Sequence, residues 1–235
     1  RDSPWSIRKF DESTTIAFSD FSLRAVPYDV PIIGYQSSTI NTLRLWQAEP
    51  IHPFNFEAFN NQDYNASTKE KNMAEDISRV LYPNDSNDDG KLLRIRQEYF
   101  LSSASLKDLV RSHKKTYGHL TNFHETHAIQ LNDTHPAVSI PEFIRLLVDE
   151  ENFNFEDALK IAQTTFSYTN HTILSEALEQ WNVDYFKRIL PRIYQIIEMI
   201  DDALQKKLTA AGLSLKNRNY YKIINNGKIK MAWIS

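Results

Sequence analysis

The chain has 235 residues, enough to bury a substantial core in one large domain or two small ones. Its hydrophobic share of 41% and aromatic share of 12% exclude global disorder, and a net charge of -3 offers neither a basic field for nucleic acid nor a polybasic patch for a membrane. Cysteine is absent, which excludes disulfides, thiolate metal sites and cysteine nucleophiles, and suits a reducing cytoplasm.

Residues 13–27 and 39–48 carry β-branched and aromatic residues in partial alternation and read as strands. Pro27, Pro31 and Gly34 punctuate the gap between them. Residues 50–67, rich in Pro, Asn, Phe and Gln, show no period and read as loop. Met73, Ile77 and Leu81 share one face of a helix predicted over 68–81, and residues 83–90 read as a polar turn. A long amphipathic stretch follows from Lys91 to about Lys115, with Ser102, Ser103 and Ser105 as the point where it divides into two helices.

Residues 128–131 read as a short strand. Asp133 or Thr134 can cap the helix after it, with Pro136 in the first turn. Asn154, with Asp157 three residues on, caps a helix running to about Ser167. Residues 168–172 read as a second polar loop, and Ser175 opens a short helix ending near Trp181. Phe186, Ile189, Ile193, Ile196, Ile197, Ile200, Leu204 and Leu208 space a last long helix that Gly212 ends, with Pro191 as its start or as a kink. Asn226-Gly227 reads as a hairpin turn before a final strand. That strand is expected to run through Lys230–Ser235. With a first residue that is Arg rather than Met, the chain is expected to be a fragment of a longer protein.

The pattern predicts an α/β fold with helix in excess, its strands belonging to a larger parallel sheet. No apolar run approaches the length of a membrane span. The Asn-x-Ser/Thr triplets at Asn65, Asn84, Asn132 and Asn170 read as chance matches.

Three polar clusters carry candidate chemistry. In open parallel sheets ligands bind beyond the carboxyl ends of strands, and Asn132-Asp133-Thr134-His135 stands at such a place, beside the free N–H groups of a helix start. Asp133 can accept from sugar hydroxyls and His135 can donate or accept; equally, Asp and Thr before Pro are ordinary capping residues. Tyr168-Thr169-Asn170-His171-Thr172 has the same character. Tyr82-Pro83-Asn84-Asp85-Ser86 sets an aromatic face beside an acid, the chemistry of a carbohydrate cleft, though it also reads as a plain turn. Arg94 and Arg96 lie beyond it on what reads as a solvated helix face. His119, His124 and His127 cluster in sequence, but His124-Glu125-Thr126-His127 is not H-E-x-x-H, so no metal site is assigned and a polar surface loop is expected.

Taken together, AVPYD (25–29), NTLRLW (41–46), ISRVLYPND (77–85), RIRQEYF (94–100), IQLNDTHP (129–136) and YTNHT (168–172) with EALEQW (176–181) resemble the glycogen/maltodextrin phosphorylase family, in the family's order and at similar spacing. The resemblance covers about Ala25 to Ala232. It implies a helix-rich fragment of a Rossmann-like domain of the glycosyltransferase B type, with residues 1–235 as part of the N-terminal domain and the C-terminal, cofactor-binding domain absent. It implies phosphorolysis of α-1,4-glucan by inorganic phosphate to glucose 1-phosphate. The cofactor implied is pyridoxal phosphate, on a lysine of the parent protein that no segment here matches; the fragment alone is expected to be inactive. A cytoplasmic homodimer is implied for the parent.

Position by position, the resemblance assigns His171 as catalytic, holding the reacting glucose through its side chain and main-chain carbonyl. Asp133 and His135 match residues lining the acceptor subsites, and Tyr82 one that stacks on a glucan ring. Asp85 falls in a mobile gate loop, Arg94 near the substrate channel and Glu176 at the edge of the acceptor site. Ser86 stands where many members carry Asn, and Ser175 where animal enzymes carry Pro. The glycine-rich glucose-site loop has no match in the chain. The alternative is a non-catalytic glucan-binding protein derived from the same fold.

Overall fold

A computed structural model describes residues 5–171, 174 and 178–235 of the chain. It is mixed α/β and divides into two compact units, Arg1–Ala104 and Ser105–Ser235.

The first unit is built on an antiparallel sheet. Strand β1 (Ile7–Arg8) and β2 (Thr14–Ala17) pair with one edge of β3 (Ser22–Ile33), and β4 (Ile40–Pro50) pairs with the other. The predicted strand over 13–27 is therefore two strands, parted by a tight turn in which the Phe18 N–H donates to the Phe21 carbonyl at 2.9 Å. Pro27 and Pro31 do not end a strand but lie inside β3, opposite Trp46 and Thr42. The Pro27 carbonyl is still used, accepting the Lys9 N–H at 2.9 Å.

The region expected to be loop over 50–67 contains α1 (Phe56–Asn60) and the first turn of α2 (Tyr64–Arg79). Both starts are capped: Asn55 Oδ1 accepts from the Ala58 N–H and Asp63 Oδ1 from the Ala66 N–H, each at 3.0 Å. Helix α2 buries Ser67, Ala74 and Ile77, and the Ser78 hydroxyl accepts the Ala48 N–H of β4 at 2.9 Å.

Helix α3 (Asp88–Tyr117) is one unbroken 30-residue helix rather than two. Ser102 and Ser103 are buried along with Phe100, Ala104 and Leu106, so packing overrides the weak helix preference of serine. Arg96 is not on a solvated face either. It is 9% exposed, grips Asp20 with two bonds of 3.0 and 2.7 Å, and lies over the Phe18 and Phe21 rings. One side chain thus ties the β2–β3 turn to α3.

In the second unit, α4 (Phe123–Thr126) leads to β5 (Ile129–Asn132). A 3-10 turn (His135–Val138), α5 (Ser139–Arg145), a π turn (Leu146–Glu150) and α6 (Phe155–Thr165) then cross to β6 (Phe166–Thr169). Strands β5 and β6 are parallel, with Leu131 beside Tyr168 and Asn132 beside Thr169. Asn154 caps α6 as the sequence indicates, its Oδ1 accepting the Asp157 N–H at 2.9 Å. Tyr168 and Thr169, read as loop, are the end of β6.

Trp181, expected at a helix end, lies in β7 (Gln180–Asn182); the predicted helix start at Ser175 lies outside the described residues. After α7 (Val183–Ile189), Pro191 opens α8 (Pro191–Ala210), so the proline starts a helix and does not kink one. Helix α9 (Leu215–Tyr220) and the hairpin of β8 (Ile224–Asn225) and β9 (Lys228–Lys230) follow, with Asn226 and Gly227 both at positive φ as a two-residue turn requires. Buried Asp201 of α8 accepts the N–H groups of Ile223 and Ile224, at 3.0 and 3.3 Å, and so anchors the hairpin. The order β7-β9-β8 is antiparallel, and residues 231–234 form a 3-10 turn instead of extending the strand. Parallel pairing is thus confined, among the described residues, to β5 and β6. Phe123, Phe143, Phe186, Ile144, Leu147 and Ile189 are among the fully buried side chains of this unit.

Candidate functional site

Because β5 and β6 are parallel and in register, the chain leaves both at the same edge. Asp133 is the first residue after β5, across a cis Asn132–Asp133 peptide, and His171 is two residues beyond β6. The Asp133 carboxylate joins the two exits. Its Oδ1 accepts the Tyr168 hydroxyl and its Oδ2 the His171 backbone N–H, each at 2.9 Å. Beside them the Gln130 amide donates to the Thr169 hydroxyl at 2.6 Å.

The electrostatics follow from this geometry. Burial acts to raise the Asp133 pKa. Hydrogen bonds from the His171 N–H, the Tyr168 hydroxyl and the Thr134 N–H outweigh it and hold the carboxyl below its ordinary range. Tyr168 is pushed the other way, to about 12, by burial and by donating to that anion. An ionised carboxylate offers about four lone-pair positions, and the Tyr168 hydroxyl and the His171 N–H take one on each oxygen.

Thr134, at the N-cap position, does not cap the following turn with its side chain. Thr134 is buried, and its hydroxyl donates instead to Glu179 Oε2 at 3.3 Å. His135 opens the 3-10 turn and is half-buried. His171 is exposed, and Glu176 lies outside the described residues. The fold brings Asp133 and His171 together, and the sequence reading misses Tyr168 as their anchor and Glu179 as the partner of Thr134. Contacts 35 and 45 residues apart leave no local signal.

A second cluster belongs to the first unit. Tyr82 is 64% exposed and sits at φ 54°. The Arg94 guanidinium is 5.4 Å from its ring centroid, and Arg94 donates to Asp85 Oδ2 at 3.3 Å and to Glu98 Oε1 at 3.4 Å. Tyr82, Asp85 and Arg94, separated by up to twelve positions in sequence, thus form one group: an aromatic ring with a guanidinium over it and an acid paired to that guanidinium.

Two of the histidines near residue 120, His119 and His127, have other partners. His119 Nδ1 is 2.8 Å from the Thr121 hydroxyl, and His127 stacks on Phe123 at 4.1 Å between centroids. Among the described residues there is no group of three or more His, Cys, Asp or Glu placed to hold a metal ion. None of the described helices is long and apolar enough to cross a membrane.

The sequence model of the carbohydrate phosphorylases matches residues 6–235. The chain belongs to the carbohydrate phosphorylase family. It is 45% identical to a glycogen phosphorylase of Bacillus subtilis (strain 168) over 215 residues, covering 90% of this chain and 26% of that protein. It is 47% identical to the liver-form glycogen phosphorylase of Ovis aries over 194 residues, covering 79% of this chain and 23% of that protein. A glycogen phosphorylase of Synechocystis is 41% identical over 217 residues, covering 91% of this chain and 26% of that protein. The chain thus spans about a quarter of the length of the curated phosphorylases it matches.

Proposed function

We propose that the chain is part of the N-terminal domain of an α-glucan phosphorylase, which uses inorganic phosphate to release glucose 1-phosphate from α-1,4-glucan. The observation that carries the reading is the Asp133 bridge, which fixes the exits of two parallel strands to each other at the edge where such sheets bind ligands. The parallel pair with its helical crossover also supports assignment to a Rossmann-like, glycosyltransferase B architecture.

In this reading His171 is the catalytic residue. Cleaving a glycosidic bond develops positive charge at the anomeric carbon. The His171 main-chain carbonyl places a dipole against that charge, and its side chain holds a hydroxyl of the reacting glucose. Asp133 acts first by fixing the His171 backbone and second by offering a remaining lone pair to the acceptor glucan. His135 and Glu176 line the acceptor side. Tyr82 stacks on a glucan ring, with Asp85 and Arg94 setting the loop that carries it.

Members of the family are expected to use pyridoxal phosphate. No described lysine is among the buried residues, so none is placed to hold an aldehyde cofactor away from water, and no step is assigned to it within this chain. The reading places its site in the remainder of the whole protein, together with the residues that bind phosphate. The whole protein is read as a cytoplasmic homodimer.

The test is phosphorolysis by the whole protein, with maltoheptaose and phosphate as substrates. Glucose 1-phosphate is the expected product. A folded, cofactor-loaded protein that binds maltoheptaose and releases none would replace this reading with glucan binding alone.

A further inference from the structure

The loop Leu81–Asn87 that carries Tyr82 and Asp85 approaches the first turn of α3 most tightly at Gly90. A Cβ built on Gly90 would lie 2.0 Å from the Asn84 carbonyl oxygen, and 3.0 Å from both the Asn84 carbonyl carbon and the Asp85 Cα. All three atoms are backbone. No side-chain rotation relieves the clash, so any residue with a Cβ must push the loop off the helix.

Glycine is not needed here for backbone conformation. Gly90 is the third residue of a right-handed helix, and its φ lies outside the positive range that favours glycine. Its N–H donates to Asn87 Oδ1 at 2.9 Å as an ordinary N-cap bond. Alanine at this position would favour the helix. The loss of helix preference at this site therefore secures one thing, the close approach of Asn84. Weaker contacts complete the seat: the Ser86 N–H donates to Asn84 Oδ1 at 3.0 Å, and Arg94 holds Asp85 at 3.3 Å.

We infer that Gly90 is a positioning residue for the glucan-binding loop: the notch it leaves in α3 seats the Asn84 carbonyl, and that seat aims Tyr82 and Asp85. The inference rests on the reading of Tyr82 as a glucan-stacking residue. It concerns a residue that touches no substrate and acts only through the loop.

The experiment compares Gly90→Ala with wild type and with Tyr82→Ala in the whole protein, by hydrogen exchange and by phosphorolysis of maltoheptaose. In Gly90→Ala the Ser86 amide, which donates to Asn84 Oδ1, should exchange about tenfold faster or more, with the rest of α3 and the thermal midpoint unchanged. The KM for maltoheptaose should rise at least about threefold, with kcat within about twofold. Wild-type exchange at Ser86 overturns the inference, as does a collapse of the thermal midpoint, which would make Gly90 a residue of general folding. A Tyr82→Ala protein with raised KM beside a Gly90→Ala protein with wild-type or lowered KM overturns it while leaving the functional reading intact. If neither variant alters KM, the reading of the loop fails, and the inference with it.

Discussion

The carboxylate of Asp133 holds the backbone N–H of His171 at 2.9 Å, across 38 residues of sequence. The same carboxylate takes the Tyr168 hydroxyl on its other oxygen. Asp133 is therefore tied to β6 by two donors of different kinds. One comes from the half-buried Tyr168 near the end of the strand and the other from the residue two positions beyond it. Pattern alone makes Asp133 a helix cap or a sugar acceptor. In the fold it is a brace between two strand exits.

That brace gives stability a defined pH dependence. The Asp133 carboxyl lies below its ordinary range in the folded chain, so its contribution is present above the unfolded-state pKa of about 3.9 and is lost as pH falls through the folded value. Asp133→Asn keeps the shape and removes the charge. The gap in thermal midpoint between wild type and Asp133→Asn should be widest near neutral pH and close as pH falls below about 4. Melting curves of the whole protein across that range check this. A gap that stays constant down to acid pH would mean the Asp133 charge adds nothing.

Tyr82→Ala should weaken long maltodextrins chiefly through KM. Stacking of a ring on a sugar acts on binding, in the ground state and the transition state alike. A rise of about threefold to tenfold in KM for maltoheptaose with kcat nearly unchanged is expected. An effect confined to kcat would contradict the stacking role.

Arg96→Ala should destabilise the first unit. It removes two charge-assisted bonds to Asp20 and a cationic lid over Phe18 and Phe21. Asp20 is 44% exposed at its side chain and recovers water, which limits the loss to about 1–3 kcal/mol. Denaturant unfolding followed by hydrogen exchange in residues 14–25 measures it. Protection there that matches wild type would show the pair to be ornamental.

The legible parts of the fold are those with local causes. Asn154, Pro191 and the Asn226-Gly227 turn each act within a few residues of themselves, and each does what its chemistry indicates. The misreadings share another cause. Ser102 and Ser103 suggest a break in α3, but they are buried among apolar neighbours and packing decides. Helix α1 is five residues long, too short for a helical period to announce it. Pro27 and Pro31 sit inside a strand because β3 is long enough to absorb two missing donors.

The candidate site divides the same way. Asp133 stands in a polar cluster after a short strand, and His171, its role given by the family resemblance, shares a second polar loop with Tyr168. The anchoring role of Tyr168 is not legible there, because it depends on the parallel register of β5 against β6. Gly90 reads as a turn residue from sequence, and only the approach of the Asn84 carbonyl explains why it lies inside a helix.

The most direct test of the account is phosphorolysis of maltoheptaose by the whole protein, with wild type, Asp133→Asn and His171→Ala compared at neutral pH. Wild type should form glucose 1-phosphate. Each variant should remain folded and lose more than about tenfold in kcat/KM, Asp133→Asn because one amide oxygen cannot accept both the Tyr168 hydroxyl and the His171 N–H, and His171→Ala because the glucose contact is gone. Near-wild-type kcat/KM in both folded variants would contradict a catalytic site at the shared edge of β5 and β6.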